Sequence, residues 1–398
     1  MSRPQPHRRT RRPRERKARG ASRVGERFEV EVGPVGHGGF CVARHEGRAV
    51  FVRHALPGER VEVEVTEGTD GDRFWRADAV EILSASPHRV PAPCPFAGPD
   101  ACGGCDFQHV SLPHQRDLKA TVVAEQLRRL AGLDVDVVVE AVPGDADGLH
   151  WRTRQRYAHL PDGRRAMRKH RSHELVAVDE CLLEAPSPAT HVVHGVEFAV
   201  ADDGFWQVHP GAPEALVDAV LEALDPQPGE SALDLYAGVG LFSHFLSAAV
   251  DPTGSVAMVE GDREASRLSE ANVPGAVAVA GDVATVLACE LPGHQDLVVL
   301  DPPREGAKRA VVEQVVARSP RAVAYVACDP AALARDVAIF AEHGYRLDSL
   351  RAFDLFPMTH HVECVALLTK AALTCGDAIG LLGAEPGNPA LRLTLGSL

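Results

Sequence analysis

Between Phe205 and Lys370 the chain alternates short, almost continuously apolar runs with stretches of helical periodicity. The runs are Ser231–Leu235, Ser255–Val259, Val277–Ala280, Asp296–Leu300 and Ala322–Ala327, and a hairpin is expected from Tyr345 to Leu368. Strands without the apolar–polar alternation of a one-sided sheet must be covered on both faces, so this region is expected to form a parallel, doubly wound α/β sheet. Ligands of such sheets bind outside the carboxyl ends of the strands, and the chemistry is expected at that edge.

The residues before Phe205 follow different patterns. From Arg27 to Leu83 five period-two bursts, one of them the glycine-rich Gly36-His-Gly-Gly-Phe, suggest a small closed OB-like barrel. A proline-rich linker leads to Cys94, Cys102 and Cys105, and an amphipathic helix is expected from Pro113 to about Leu130. Its apolar face is Leu118, Val122, Val123, Leu127 and Leu130, with Arg116, Lys119, Arg128 and Arg129 beside it. From Trp151 to Arg171 eight Arg or Lys meet only Asp162, and Trp151 and Tyr157 interleave with them, a pattern suited to single-stranded nucleic acid. The expected organisation is a basic arm (1–23), the barrel (24–84), a central α+β domain carrying the cysteines (85–204), the α/β domain (205–370) and a tail (371–398).

The net charge of −13 on 398 residues would disfavour a nucleic-acid partner if it were evenly spread. Residues 1–23, however, carry ten Arg or Lys against one Glu, so the rest of the chain is about −22. Such an arm cannot form a core and is suited to phosphates. No run of 18 apolar residues suggests a membrane span, and nine cysteines without an export signal suit reduced thiols in the cytoplasm.

Leu233-Asp-Leu-Tyr-Ala-Gly238-Val-Gly240 places two glycines where a strand turns into a helix, and Glu260 follows 20 residues on to meet ribose hydroxyls. Asp282 ends the third strand, within reach of an adenine amino group. This spacing favours an adenosyl ligand but would also suit a nicotinamide dinucleotide. Asp301-Pro-Pro-Arg304 at the fourth strand end favours a methyltransferase; Arg304 stands where amino-methyltransferases carry a stacking aromatic. At the fifth strand end, Cys328 is the candidate nucleophile and Glu363 the candidate base for alkylating an unreactive pyrimidine carbon. Cys289, Cys364 and Cys375 are expected to be buried filler.

Over residues 28–370 the chain resembles the RNA uracil-C5 methyltransferases. The resemblance rests on Phe205-Trp-Gln-Val-His-Pro210, the glycine turn, Asp301-Pro-Pro-Arg-Glu-Gly-Ala307, Tyr325-Val-Ala-Cys-Asp-Pro330 and Phe353 to Glu363. It implies a class I, Rossmann-like S-adenosylmethionine-dependent domain. Gln207, Tyr236, Gly238, Gly240, Glu260, Asp282 and Asp301 would surround the cofactor, with Cys328 as nucleophile and Glu363 as base. The first barrel resembles a TRAM domain. By the same resemblance the substrate would be RNA, 23S ribosomal RNA ahead of the tRNA T-loop, and the enzyme a monomer without a membrane partner. His209 and Asp329 each replace an asparagine usual in the family. Four thiols, Cys94, Cys102, Cys105 and Cys181, suit either zinc or a [4Fe–4S] cluster by spacing, and the resemblance favours the cluster.

Overall fold

The computed structural model describes residues 20–370 apart from Asp145 and Pro292. Most of the basic arm, the 371–398 tail and Cys375 therefore lie outside the described residues.

Strands β1 (Arg27–Val35), β2 (Cys41–His45), β3 (Arg48–Arg53), β4 (Arg60–Glu67) and β5 (Phe74–Ser84) close into a barrel in the order β1-β2-β3-β5-β4. Period-two alternation drives the closure. Val50 and Val52 of β3 and Val61, Val63 and Val65 of β4 point inward and are buried. The glycine burst is not a strand but the loop between β1 and β2. Gly38 and Gly39 take φ of 104° and 79°, which an extended ladder does not contain.

Helix α1 (Leu112–Gln126) widens into a π turn at Leu127–Ala131 and stops at Gly132, whose φ is 69°. The helix is a double-sided wedge: Leu118 and Val122 join the barrel core, while Val123 and Leu127 join the core of the α/β sheet. Lys119, expected beside the apolar face, is wholly buried, with Nζ 2.5 Å from Asp354 Oδ1 and 3.0 Å from the Phe356 carbonyl. Then come β6 (Val139–Glu140), a small sheet of β7 (Ala158–His159), β8 (Arg165–Arg168) and β9 (Leu175–Ala177), and the hairpin β10 (His191–Val193)–β11 (Val196–Phe198).

The α/β unit runs α2 (Ala212–Leu224), β12 (Ser231–Leu235), α3 (Leu241–Val250), β13 (Ser255–Glu260), α4 (Arg263–Asn272), β14 (Val277–Ala280) and α5 (Val283–Cys289). It continues with β15 (Leu297–Leu300), α6 (Lys308–Ala317), β16 (Ala322–Ala327), α7 (Pro330–Glu342), β17 (Tyr345–Phe353) and β18 (Glu363–Lys370). The strand order is β14-β13-β12-β15-β16-β18-β17-β6, so β6 from the central segment extends this sheet. Every residue of β15 and β16 is buried, as a sheet covered on both faces requires. The order reverses between β12 and β15, and their last residues, Leu235 and Leu300, are register partners. Loops leaving these two strands diverge and open a crevice. Strand β18 is antiparallel to β16, with Ala327 opposite Cys364, so its first residue, Glu363, starts at the edge where β16 ends. Among the described residues no helix is long and apolar enough to cross a membrane.

Candidate active site

The crevice beyond β12 and β15 is a cavity lined by Phe205, Trp206, Gln207, Tyr236, Gly238 and Asp301, among others. Four residues expected from sequence to meet a cofactor thus share one wall. Tyr236 (φ 65°) and Gly238 (φ 55°) form the turn, and a Cβ on Gly238 would meet nothing within 4 Å, so its backbone faces open space. Gly240 serves packing instead, since a Cβ there would come within 2.8 Å of Val273 Cγ2. Glu260 Oε2 accepts the Gly238 N–H at 2.8 Å, and Oε1 accepts that of Asp262 at 2.7 Å, so the carboxylate is fixed at the rim. Asp282 caps α5 through Oδ1, which accepts from the Thr285 N–H and hydroxyl.

Sequence reasoning passed over Asp234, yet it is fully buried under the turn. Its Oδ2 accepts from the Ser243 hydroxyl at 2.6 Å, while Oδ1 has no protein partner. Burial pushes its carboxyl up to about 7 despite the serine, and burial, followed by the charges of Asp234 and Glu260, brings Asp301 to about 7 as well. Asp301 lines the cavity and Asp234 lies buried behind it, and a cationic ligand seated there would favour the ionised form of Asp301. These residues suit an adenosyl sulfonium.

Cys328 follows the last residue of β16 and precedes Asp329, which caps α7 by accepting the Ala332 N–H at 2.8 Å. Cys328 leaves β16 directly after the Ala327–Cys364 pair while Glu363 begins β18, so the two sit side by side at this edge and the Glu363 charge acts on the thiol. Burial pushes the Cys328 thiol up to about 12, and the charges of Glu363 and Asp301 add to this while Arg304 opposes it. Burial, then Asp301, also holds the Glu363 carboxyl well above the usual range, again opposed by Arg304. Thiol, carboxyl, Asp301 and the glycine turn therefore meet at one sheet edge. Arg304, read from sequence only as a missing stacking platform, is the counter-cation of that edge, with Nη2 3.4 Å from His361 Nε2.

Two buried supports escaped sequence reading. Asp336 of α7 accepts the Ala307 N–H at 2.7 Å and the Tyr325 hydroxyl at 2.5 Å, fixing the loop that carries Asp301 and Arg304. The loop before Glu363 is fixed by Gln115, Lys119 and Asp106. The Met358 N–H donates to Gln115 Oε1 at 2.8 Å, and the Met358 carbonyl accepts from the Asp106 and Phe107 N–H groups. Asp106 Oδ2 also lies 2.6 Å from His360 Nδ1.

Cys94, Cys102, Cys105 and Cys181 line a single small cavity with Met167 and Val178. Burial raises Cys102, Cys181 and Cys105, the last to about 12. The donor set matches a four-thiolate centre. Among the described residues, however, no group of three His, Cys, Asp or Glu is arranged closely enough to hold a metal ion. Of the expected filler cysteines, Cys364 is buried but Cys289 is exposed at the end of α5.

The nucleic-acid face also differs from expectation. Trp151 is wholly buried against Leu183 and Met358, so it is a core residue and not a stacking ring. Arg154 is tied to the carbonyls of Asp203 and Gly204, and Lys169 to Asp100 and Glu174. Arg156, Arg164, Arg165, Arg168 and Arg171 remain exposed, with Arg165 5.2 Å from the Tyr157 ring. On the facing barrel wall Phe51 lies 4.6 Å from Phe40 and 4.8 Å from Phe74, and Arg76 stacks 4.9 Å over Phe74. Between the two walls runs a groove lined by the five cations Arg27, Arg53, Arg76, Lys169 and Arg171 and by the five acids Glu64, Glu67, Asp78, Asp100 and Glu174.

Residues 21–80 match the TRAM domain family, and residues 286–371 match the tRNA (uracil-5-)-methyltransferase family. An uncharacterised RNA methyltransferase of Streptomyces avermitilis is 43% identical over 88% of this chain and 99% of its own length. The 23S rRNA (uracil(1939)-C(5))-methyltransferase RlmD of a Shewanella species is 30% identical over 84% of this chain and 94% of its own. The crystal structure of the Pyrococcus abyssi tRNA (uracil-54, C5)-methyltransferase in complex with S-adenosyl-L-homocysteine shares the fold. Its TM-score is 0.61 at 21% identity, covering 85% of this chain and 99% of that one.

Proposed function

The chain belongs to the RNA uracil-C5 methyltransferases, and on that premise we propose that it methylates C5 of one uridine in 23S ribosomal RNA through a covalent bond between Cys328 and C6. The observation that carries this reading is the nearness of Cys328 and Glu363 at the adjoining ends of β16 and β18, with Asp301 of the cavity of Gln207, Tyr236 and Gly238 acting on both. When bound, S-adenosylmethionine supplies the methyl group and a positively charged sulfur.

Cys328 reacts as its thiolate, the thiol proton having passed to solvent; the sulfur adds to C6, and the electron pair of the C5–C6 double bond moves toward the C4 carbonyl as an enolate. C5 then takes the methyl group, leaving S-adenosylhomocysteine. Glu363 removes the remaining C5 proton, the S–C6 bond breaks, and the double bond returns as Cys328 leaves as thiolate. Gln207, Tyr236, Glu260, Asp282 and Asp301 are assigned to the cofactor. The groove between the barrel wall and β8–β9 is assigned to the RNA strand: exposed arginines meet phosphates and the Phe40–Phe51–Phe74 ladder meets bases.

The four clustered thiols are assigned to an iron–sulfur cluster with a structural role, in preference to zinc. Their convergence on one cavity supports this, and an absorption band near 400 nm, expected by analogy with thiolate iron–sulfur sites, tests it alongside iron and sulfide analysis.

A tRNA T-loop substrate is the second reading, favoured by the family match over residues 286–371. Transfer of labelled methyl groups to unmodified 23S rRNA and tRNA, followed by mapping of 5-methyluridine, separates the two. Label confined to one 23S uridine supports the proposal; label confined to the tRNA T-loop replaces it. Absence of transfer to both favours an RNA-binding protein without turnover.

A further inference from the structure

The loop between β1 and β2 extends from the barrel to the catalytic edge and meets both strands that carry reacting groups. His37 Nε2 lies 3.2 Å from Asp329 Oδ2, and Asp329 is the residue after Cys328. Its other oxygen caps α7. Two residues further along, Gly39 packs so closely on the segment leading to Glu363 that a Cβ would fall 2.7 Å from His360 Cβ and 3.2 Å from Asp106 Cβ. One loop of the barrel thus touches the neighbours of both the nucleophile and the base.

We propose, resting on the reading of Cys328 as nucleophile, that His37 is a positioning residue: from the barrel it donates Nε2–H to Asp329 and so fixes the thiol one residue away. Cys328 lies between Ala327, which is held in the β16–β18 ladder, and Asp329. With both carboxylate oxygens engaged, Asp329 cannot rotate without breaking either the helix cap or the contact with the barrel. Burial works against ionisation of Asp329, yet the hydrogen bond from His37 and the cap hold its carboxyl below the usual range, so the bond is charge-assisted. This also accounts for the aspartate where the family usually has asparagine. An amide using its oxygen for the cap would turn an NH2 toward His37 and make the ring nitrogen the acceptor of an uncharged bond, whereas a carboxylate presents a second, charged acceptor.

The test uses the full chain with RNA containing 5-fluorouridine at the target position, under single-turnover conditions with saturating RNA and S-adenosylmethionine. His37→Ala is expected to slow covalent adduct formation by about 10- to 150-fold, the range of one charge-assisted hydrogen bond, with RNA affinity changed less than about twofold. His37→Gln, which can still donate to Asp329, is expected to recover most of the rate. The double variant His37→Ala/Asp329→Asn is expected to be no slower than the slower single variant. A wild-type rate in His37→Ala overturns the inference, as does weakened RNA binding with an unchanged saturated rate, strict additivity of the two losses, or failure of His37→Gln to recover. Cys328→Ala run in parallel separates the two claims. If it still forms the adduct, the nucleophile assignment fails; if it does not and His37→Ala is unimpaired, only the positioning role fails.

Discussion

At the residue scale, burial favours the protonated forms of Cys328 and Asp301. The thiol is pushed up to about 12 and Asp301 to about 7, and in both cases burial is the first cause and neighbouring acids the second. A cation seated among these acids favours their ionised forms, because a nearby opposite charge lowers a carboxyl pKa. S-adenosylmethionine carries that charge and S-adenosylhomocysteine does not. Calorimetric titration from pH 6 to pH 8 is therefore expected to show S-adenosylmethionine affinity rising as Asp301 ionises, with a flatter response for S-adenosylhomocysteine. Asp301→Asn is expected to flatten the first curve, and parallel curves for both ligands in the unaltered protein would contradict this electrostatic account. The same sign applies to folding. An acid whose pKa is raised by folding contributes stability below its unfolded value near 4 that is lost as pH rises through about 7. The melting temperature of the ligand-free protein is thus expected to fall from pH 5.5 to pH 8, less steeply in Asp234→Asn.

At the scale of elements, the loop between β17 and β18 shows why buried polar groups fix an active site. Lys119, Gln115 and Asp106 come from distant sequence and converge on the stretch from Asp354 to His360 that leads to Glu363. Lys119→Met leaves Asp354 as an unpaired buried acid and is expected to cost about 3–5 kcal/mol in urea unfolding. Lys119→Met/Asp354→Leu is expected to recover much of that stability without recovering the methyl-transfer rate, because the loop loses its anchor. Recovery of both would remove the positioning role from this pair.

Such supports were not legible in the sequence. A lysine inside a helical pattern reads as solvent-facing unless its distant partner is known, and a buried Trp151 among arginines reads as a nucleic-acid contact. The strands from Ser231 to Ala327 were legible because burial on both faces leaves an uninterrupted apolar run. Strand β2 was obscured by the adjacent glycines, and the two-residue β6 is too short to carry a period. Cys328 and Glu363 were legible through the motifs around them, whereas Asp234, Asp336 and His37 act through partners that only the fold brings near.

At the scale of the whole molecule, a body of strongly negative charge carries a run of exposed arginines, Arg156, Arg164, Arg165, Arg168 and Arg171, on the wall around β7–β9. Phosphate contacts made there release counterions, so RNA binding is expected to weaken steeply with salt. Replacing Arg156, Arg164, Arg165 and Arg168 together by Gln is expected to reduce the slope of log affinity against log salt by up to about 3, at roughly 0.7 per contact on a single strand. An unchanged slope would move the RNA path elsewhere. The barrel, the cysteine segment and the catalytic sheet meet at the edge where Cys328 and Glu363 sit side by side. Cys105 directly precedes the Asp106 that holds His360, which links the thiol cluster to the base through the chain itself. The most direct test of the account is peptide mapping of the covalent complex formed with 5-fluorouridine RNA and S-adenosylmethionine. The expected result is a single nucleotide adduct on Cys328, absent in Cys328→Ala together with methyl transfer; an adduct on another residue, or methylation that survives the substitution, would contradict it.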